Sequence, residues 1–105
     1  MRVISLKRLR DFWQTHSAAE MPLRSWFKTA LQGDWANLQA VRQTYSHADA
    51  VTLDSGVTIT IFNVGGNKYR LIVRIIYEFR RIYIGCVLTH AEYNKGAWRK
   101  QLWQK

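Results

Sequence analysis

The sequence predicts an α+β fold, with a helical hairpin laid on one face of a mainly antiparallel twisted sheet and a helical segment closing the C-terminus. Three observations carry that prediction. Leu23, Trp26, Phe27, Ala30 and Leu31 recur at i, i+3, i+4, i+7 and i+8, the stripe of an amphipathic helix. Further on the period becomes two: Val57, Ile59 and Ile61 alternate with Thr58, Thr60 and Phe62, and Tyr69, Leu71, Val73, Ile75 and Tyr77 alternate with Arg70, Ile72, Arg74 and Ile76. Between those runs stands Gly65-Gly66-Asn67, whose residues accept positive φ and let the chain reverse as a hairpin. Helices first and strands afterwards, rather than an alternation of the two, mark the α+β class.

Taken in order, Met1 to Ser5 suits a first strand, with Ser5 as the cap of a helix starting at Leu6. Leu6, Leu9 and Trp13 follow helical spacing, and Lys7, Arg8 and Arg10 fall on other faces as a solvated charge run. Pro22 fits the first turn of the second helix and Gly33 its stop. Two helices so closely joined are expected to pair antiparallel. Trp35 to Tyr45 reads as a short helix or an ordered loop over the sheet edge. Ala50 to Leu53 reads as a short strand, with Asp54-Ser55-Gly56 as its turn. After the central hairpin, Glu78 to Arg81 makes a charged turn. Ile82, Ile84, Cys86 and Leu88 then alternate with Tyr83, Gly85, Val87 and Thr89 as the last strand, and Thr89 caps a final helical segment from Ala91 to Trp98. The predicted order is β-α-α-β-β-β-β plus that segment, without repeat or linker, as a single domain over residues 1–105.

The 105 residues are 48% hydrophobic, which excludes a disordered chain, and carry 16 Lys and Arg against 7 Asp and Glu, a net charge of +9. Such an excess on so small a body implies a polyanionic partner or an acidic protein. The sole cysteine, Cys86, permits no internal disulfide; sharing parity with Ile84 and Leu88, it reads as a small core residue. His16, His47 and His90 stand apart from other metal-binding side chains, so neither metal nor cofactor is expected. There is no secretory leader pattern and no apolar run long enough for a bilayer, so no membrane association is expected and the cytoplasm is the expected location.

Chemistry concentrates at two places. The hairpin carries two amides, a lysine and an arginine: Asn63, Asn67, Lys68 and Arg70. His90-Ala91-Glu92-Tyr93 closes the last strand, and residues three apart on a helical turn project to one side. In a meander both places lie at one end of the sheet, so His90 and Tyr93 approach Asn67, Lys68 and Arg70. Cations, amides, an imidazole and a phenol suit RNA cleavage by the neighbouring 2′-hydroxyl, which needs proton transfer at two oxygens and positive charge on the phosphorane. Histidine exchanges protons near neutral pH, and His90 can serve as base or acid. Arg70 can pair with phosphate oxygens at two points, and Tyr93 can stack on a base or donate a proton. Arg74 on the Arg70 face, and Lys95, Trp98, Arg99, Lys100, Trp103 and Lys105 near the C-terminus, are candidates for an RNA-facing surface. Plainer readings stand beside these: His90 as a cap, Tyr93 as packing, Asn63 and Asn67 as turn residues, and Trp13 and Trp26 as core.

Phe62-Asn63-Val64-Gly65-Gly66-Asn67-Lys68-Tyr69-Arg70-Leu71, followed by Val87-Leu88-Thr89-His90-Ala91-Glu92-Tyr93, resembles the HigB-type toxins of bacterial type II toxin–antitoxin modules, which are related to the RelE toxins. The resemblance extends over nearly the whole chain, including Trp26 and the Asn37-Leu38 segment. It implies a RelE-like ribonuclease that cleaves mRNA, usually in the ribosomal decoding site. It also implies a helix-turn-helix antitoxin, HigA, that neutralises the toxin and represses the operon with it, so that operator DNA is met only through the complex. The family pattern Asn-x-Gly-Gly-Asn-x-x-Arg falls on Asn63, Gly65, Gly66, Asn67 and Arg70, and its His-x-Glu-Tyr on His90, Glu92 and Tyr93. The position after Tyr93 is often acidic in the family; Asn94 stands here. The expected catalytic set is therefore Arg70, His90, Tyr93, Asn67 and Lys68, and the expected RNA-binding set Asn63, Arg74, Lys95, Trp98, Arg99 and Lys100. Two other readings remain open: a non-catalytic RNA- or ribosome-binding module that blocks translation, and a subunit whose charge serves an acidic protein partner.

Overall fold

A computed structural model describes residues 1–103. Its elements are β1 (Arg2–Ile4), α1 (Leu6–Thr15), α2 (Glu20–Gln32), α3 (Leu38–Thr44), β2 (Asp49–Thr52), β3 (Thr58–Val64), β4 (Tyr69–Ile76), β5 (Arg81–Thr89), α4 (His90–Lys95) and α5 (Trp98–Gln101). The strands form one five-stranded sheet in the order β1-β5-β4-β3-β2. Only the β1–β5 pair is parallel; β2–β3, β3–β4 and β4–β5 are antiparallel, as the hairpin signals predict. The α+β class expected from the sequence is the class observed.

Several local expectations change. The 35–45 stretch does contain a helix, α3, whose cap Asn37 accepts a hydrogen bond from Ala40 N at 2.9 Å. Helix α1 begins at Leu6 as expected, yet Ser5 makes no side-chain cap. Its φ of 78° is left-handed, and a capping side chain needs extended backbone. Gly33 stops α2 from an extended conformation rather than a left-handed one. Tyr77 leaves the β4 ladder for a 3-10 turn over Tyr77–Phe79. The C-terminal helix is two helices, because Gly96, at φ 76°, takes the chain out of α4 before α5 begins.

The largest correction concerns β5. Ile72 pairs with Cys86 but Val73 pairs with Ile84, so Gly85 is an extra residue, a β-bulge. A bulge flips side-chain parity. Ile82, Ile84 and Val87 therefore face the helices, whereas Cys86 and Leu88 face the other way, and Cys86 does not share a core with Ile84. Glycine suits that position: a Cβ on Gly85 would lie 2.7 Å from the Trp103 ring and 3.0 Å from Ile72 O, so a larger residue would displace the ring. On the helical side, Arg8 Nη1 donates to Gly85 O at 2.7 Å, so this cation supports the bulge instead of joining a solvated charge run.

Phe62, Leu71, Val73 and Ile84 pack under Leu9, Leu23, Trp26 and Val41 as the main core. The opposite face, bearing Arg70 and Arg74, carries a second apolar cluster of Leu53, Ile59, Ile61, Ile72 and Trp98, joined by Cys86, Leu88, Tyr93 and Trp103. The C-terminal helices thus cover part of a face that the strand arginines suggest is polar. Burial there pushes the Cys86 thiol up to about 11, with Arg8 opposing, so it stays protonated at neutral pH.

Candidate functional site

Gly65 and Gly66 both adopt left-handed backbone, at φ 65° and 68°, which reverses β3 into β4. The register then sets Asn63 beside Arg70 and Arg70 beside Leu88 on the face away from the helical hairpin. Tyr69 pairs with Thr89, so β5 ends next to the hairpin tip, and His90 N donates to Lys68 O at 3.0 Å. That hydrogen bond ties the first residue of α4 to the glycine turn.

Helix α4 starts cleanly because Thr89 and Glu92 form a reciprocal capping box: Glu92 N donates to Thr89 Oγ1 at 3.2 Å and Thr89 N donates to Glu92 Oε1 at 3.0 Å. The Thr89 backbone N–H holds the Glu92 carboxyl below the usual carboxylate range, with burial opposing and His16 and Lys95 assisting. The cap thus gives the Glu92 carboxylate a structural partner at the start of α4.

Tyr93 sits on the inner side of α4 against the second cluster. The Arg70 guanidinium lies over its ring at 5.5 Å, a cation–π contact. Arg70 Nη1 also donates to Asn67 O at 3.1 Å. Trp98 stacks on Tyr93 with centroids 5.5 Å apart and planes at 14°, and its Nε1–H donates to Tyr93 O at 3.1 Å. Arg99 in turn lies 5.0 Å from the Trp98 centroid. Arg70 has no carboxylate partner among the described residues and keeps donor capacity for an incoming anion.

His90 is exposed, and its Nδ1 lies 2.9 Å from Asn94 Nδ2. The Asn94 side chain engages Nδ1 and leaves Nε2 as the open ring nitrogen. Asn94 is thus a site residue to which the sequence alone assigns no role. The signal that could have found it is its i,i+4 spacing from His90 on one helix face.

The expected catalytic residues Arg70, His90, Tyr93, Asn67 and Lys68 therefore come together at one end of the sheet. Asn67, Lys68 and His90 are exposed there, and Arg70 and Tyr93 are half-buried. The RNA-binding set is more scattered. Asn63 stands beside Arg70, and Lys95, Arg99 and Lys100 are exposed on the C-terminal segment. Arg74 lies opposite Tyr83, about 13 Å along β4 from Arg70 at a strand rise of about 3.3 Å per residue. Trp98 is a correction: at 3% exposure it is a packing residue that holds Tyr93, because α5 folds back onto the sheet instead of lying open. Trp26 is core as expected, while Trp13 is half-buried with Arg24 4.9 Å from its centroid. Lys105 lies outside the described residues. Among the described residues no three His, Cys, Asp or Glu side chains gather as metal ligands would, and no helix is long and apolar enough to cross a membrane.

Residues 19–96 match the HigB toxin family, described as the RelE-like toxic component of a toxin–antitoxin system. The chain is 27% identical over 95 residues to the mRNA interferase toxin HigB of Escherichia coli K12, an alignment covering 90% of this chain and 88% of that protein. It is similar to the same extent to the mRNA interferases HigB of Escherichia coli O157:H7 and Shigella flexneri. The matched span contains both the glycine hairpin and the His90–Tyr93 turn.

Proposed function

The chain belongs to the HigB toxin family, the RelE-like toxic component of a toxin–antitoxin system, and from that premise we propose that it is an endoribonuclease that cleaves mRNA and thereby stops translation. The observation that carries the reading is the position of Arg70, held on the Tyr93 ring beside a helix whose first residue, His90, is bonded to the glycine hairpin.

In the proposed reaction the RNA 2′-oxygen attacks the adjacent phosphorus and the 5′-oxygen leaves, giving a 2′,3′-cyclic phosphate and a 5′-hydroxyl end. A proton departs from the 2′-hydroxyl and another reaches the 5′-oxygen. His90 Nε2, freed for substrate by the Asn94–Nδ1 contact, makes one of those transfers. Arg70 and Lys68 bear the charge that builds on the non-bridging oxygens. Tyr93, its ring engaged by Trp98 and Arg70, positions the Arg70 guanidinium, and Asn63 and Asn67 bind the edges of the scissile nucleotide. We place the reaction on the ribosome, where aligned mRNA and ribosomal RNA complete a sparse catalytic set; metal-independence follows from the same chemistry. The partner in this scheme is a HigA-like helix-turn-helix antitoxin that covers part of the basic surface, with operator DNA reached only through that complex.

The test is a map of mRNA 5′ ends after a pulse of expression. New 5′ ends are expected with the parent chain, and Arg70→Ala is expected to remove them with a rate loss of about 10²–10³. Growth arrest without new 5′ ends would instead indicate a non-catalytic block of translation.

A further inference from the structure

The face that bears Arg70 does not end at the catalytic cluster. Further along the sheet it opens into a groove of about 410 Å³ lined by Arg74, Ile76, Phe79, Arg81, Tyr83 and Trp103. The register explains the gathering: Arg74 pairs with Tyr83 and Ile76 with Arg81, so their side chains stand beside one another on one face. The bulge at Gly85 contributes as well, because the Trp103 ring can settle at the groove only where no Cβ intervenes. Phe79 is 62% exposed at the rim, with the Arg81 guanidinium 5.7 Å from its centroid. None of the ion pairs among the described residues involves Arg74 or Arg81.

We infer that this groove is a second RNA subsite, which grips the single strand on one side of the cleavage point and is distinct from the site at Arg70 and His90. The inference rests on the endoribonuclease reading. Three half-exposed or exposed aromatic rings beside two arginines without carboxylate partners match what a single-stranded nucleic acid offers, flat bases and phosphates in alternation. An acidic peptide would use the arginines but would have no need of the ring faces. Proximity decides between them: the groove lies on the same face and the same strand as Arg70, about 13 Å away, beyond the lid that the C-terminal segment forms over Ile72, so a strand seated at Arg70 reaches it by passing over that segment, where Arg99 and Lys100 are exposed. Of the tryptophans that the sequence singles out, Trp98 is buried and Trp103 remains accessible, and the groove adds Tyr83 and Phe79, which the sequence does not single out.

The experiment measures fluorescence anisotropy with single-stranded RNAs of about 4 and about 12 nucleotides, within the range of single-strand site sizes. The parent chain is expected to bind the longer RNA about tenfold more tightly than the shorter one. Arg81→Glu and Tyr83→Leu are expected to abolish that gain while leaving the affinity for the short RNA and the melting temperature in place. Tyr83→Phe, which keeps a ring, is expected to restore it. No dependence on length, or a length dependence untouched by the groove variants, overturns the second subsite and leaves the endoribonuclease reading standing. Competition by poly-glutamate as effective as that by RNA of equal charge also overturns it, since charge alone would then be read. If the parent chain itself produces no new mRNA 5′ ends, the endoribonuclease reading fails as well.

Discussion

The contact between Asn94 and His90 decides which imidazole nitrogen is free for chemistry. With Nδ1 engaged by the Asn94 side chain, Nε2 is the ring nitrogen left open to a substrate. His90→Gln removes proton exchange but keeps hydrogen bonding, so ribosome association should persist while cleavage falls by about 10²–10⁴. Asn94→Asp gives a different signature. Its carboxylate favours the imidazolium, so the limb of the pH–rate profile set by His90 should move to higher pH. Cleavage assays across a pH series read both effects, and an unaltered rate in the Gln variant would leave His90 as the first residue of a helix and nothing more. Position 94 shows how far sequence reaches at this scale. Its departure from an acidic residue is legible, but what the amide does instead needs the distance to His90.

At the scale of elements, the site depends on α4 being docked at the hairpin and on α5 folding back to hold it. The capping box starts α4, and the Trp98–Tyr93 stack with its Nε1–H bond fixes the far side. Thr89→Ala should cost about 1 kcal/mol by removing the cap, read as a lower denaturation midpoint. Trp98→Phe keeps a ring in the cluster and loses the hydrogen bond, a net cost of about 1 kcal/mol. If Trp98 positions Tyr93, that variant should also cut more slowly without weaker binding of the ribosome; equal loss in both would give it a purely structural part. The helices, the central hairpin and the last strand are legible because each has its own period and stop residue. The parity of β5 is marked only by Gly85, an isolated glycine inside a strand run that signals a bulge, while the apolar run Ile82 to Leu88 around it reads as plain alternation. The inward fold of Trp98 is hidden for a related reason. A tryptophan among Arg99 and Lys100 looks like a binding surface until the second cluster on Ile59, Ile61 and Ile72 is seen to need a lid.

For the whole molecule, most cations among the described residues lie outside ion pairs. The four ion pairs among the described residues, Lys7–Asp11, Arg24–Glu20, Arg42–Asp49 and Arg80–Asp34, lie within α1 and α2, between α3 and the β2 edge, and between the loop after α2 and the β4–β5 turn. Arg70, Arg74, Arg81, Lys95, Arg99 and Lys100 have no place in them, so much of the net charge of +9 is available to an external anion. Binding to RNA or ribosomes should therefore weaken steeply with salt, because each phosphate neutralised on a single strand releases counterions and adds about −0.7 to the slope of log affinity against log salt. Arg99 and Lys100 are exposed on α5 and outside both cores, so reversing them to glutamate should leave folding intact. If both meet phosphate, the reversed variant should sediment less with ribosomes at low salt and show a shallower slope, by about 0.7 for each phosphate it no longer neutralises. At high salt the two chains should converge, because screening removes the attraction in which they differ. Superimposable co-sedimentation curves across the series would take the C-terminal segment off the RNA-facing surface and leave the sheet arginines to carry the attraction.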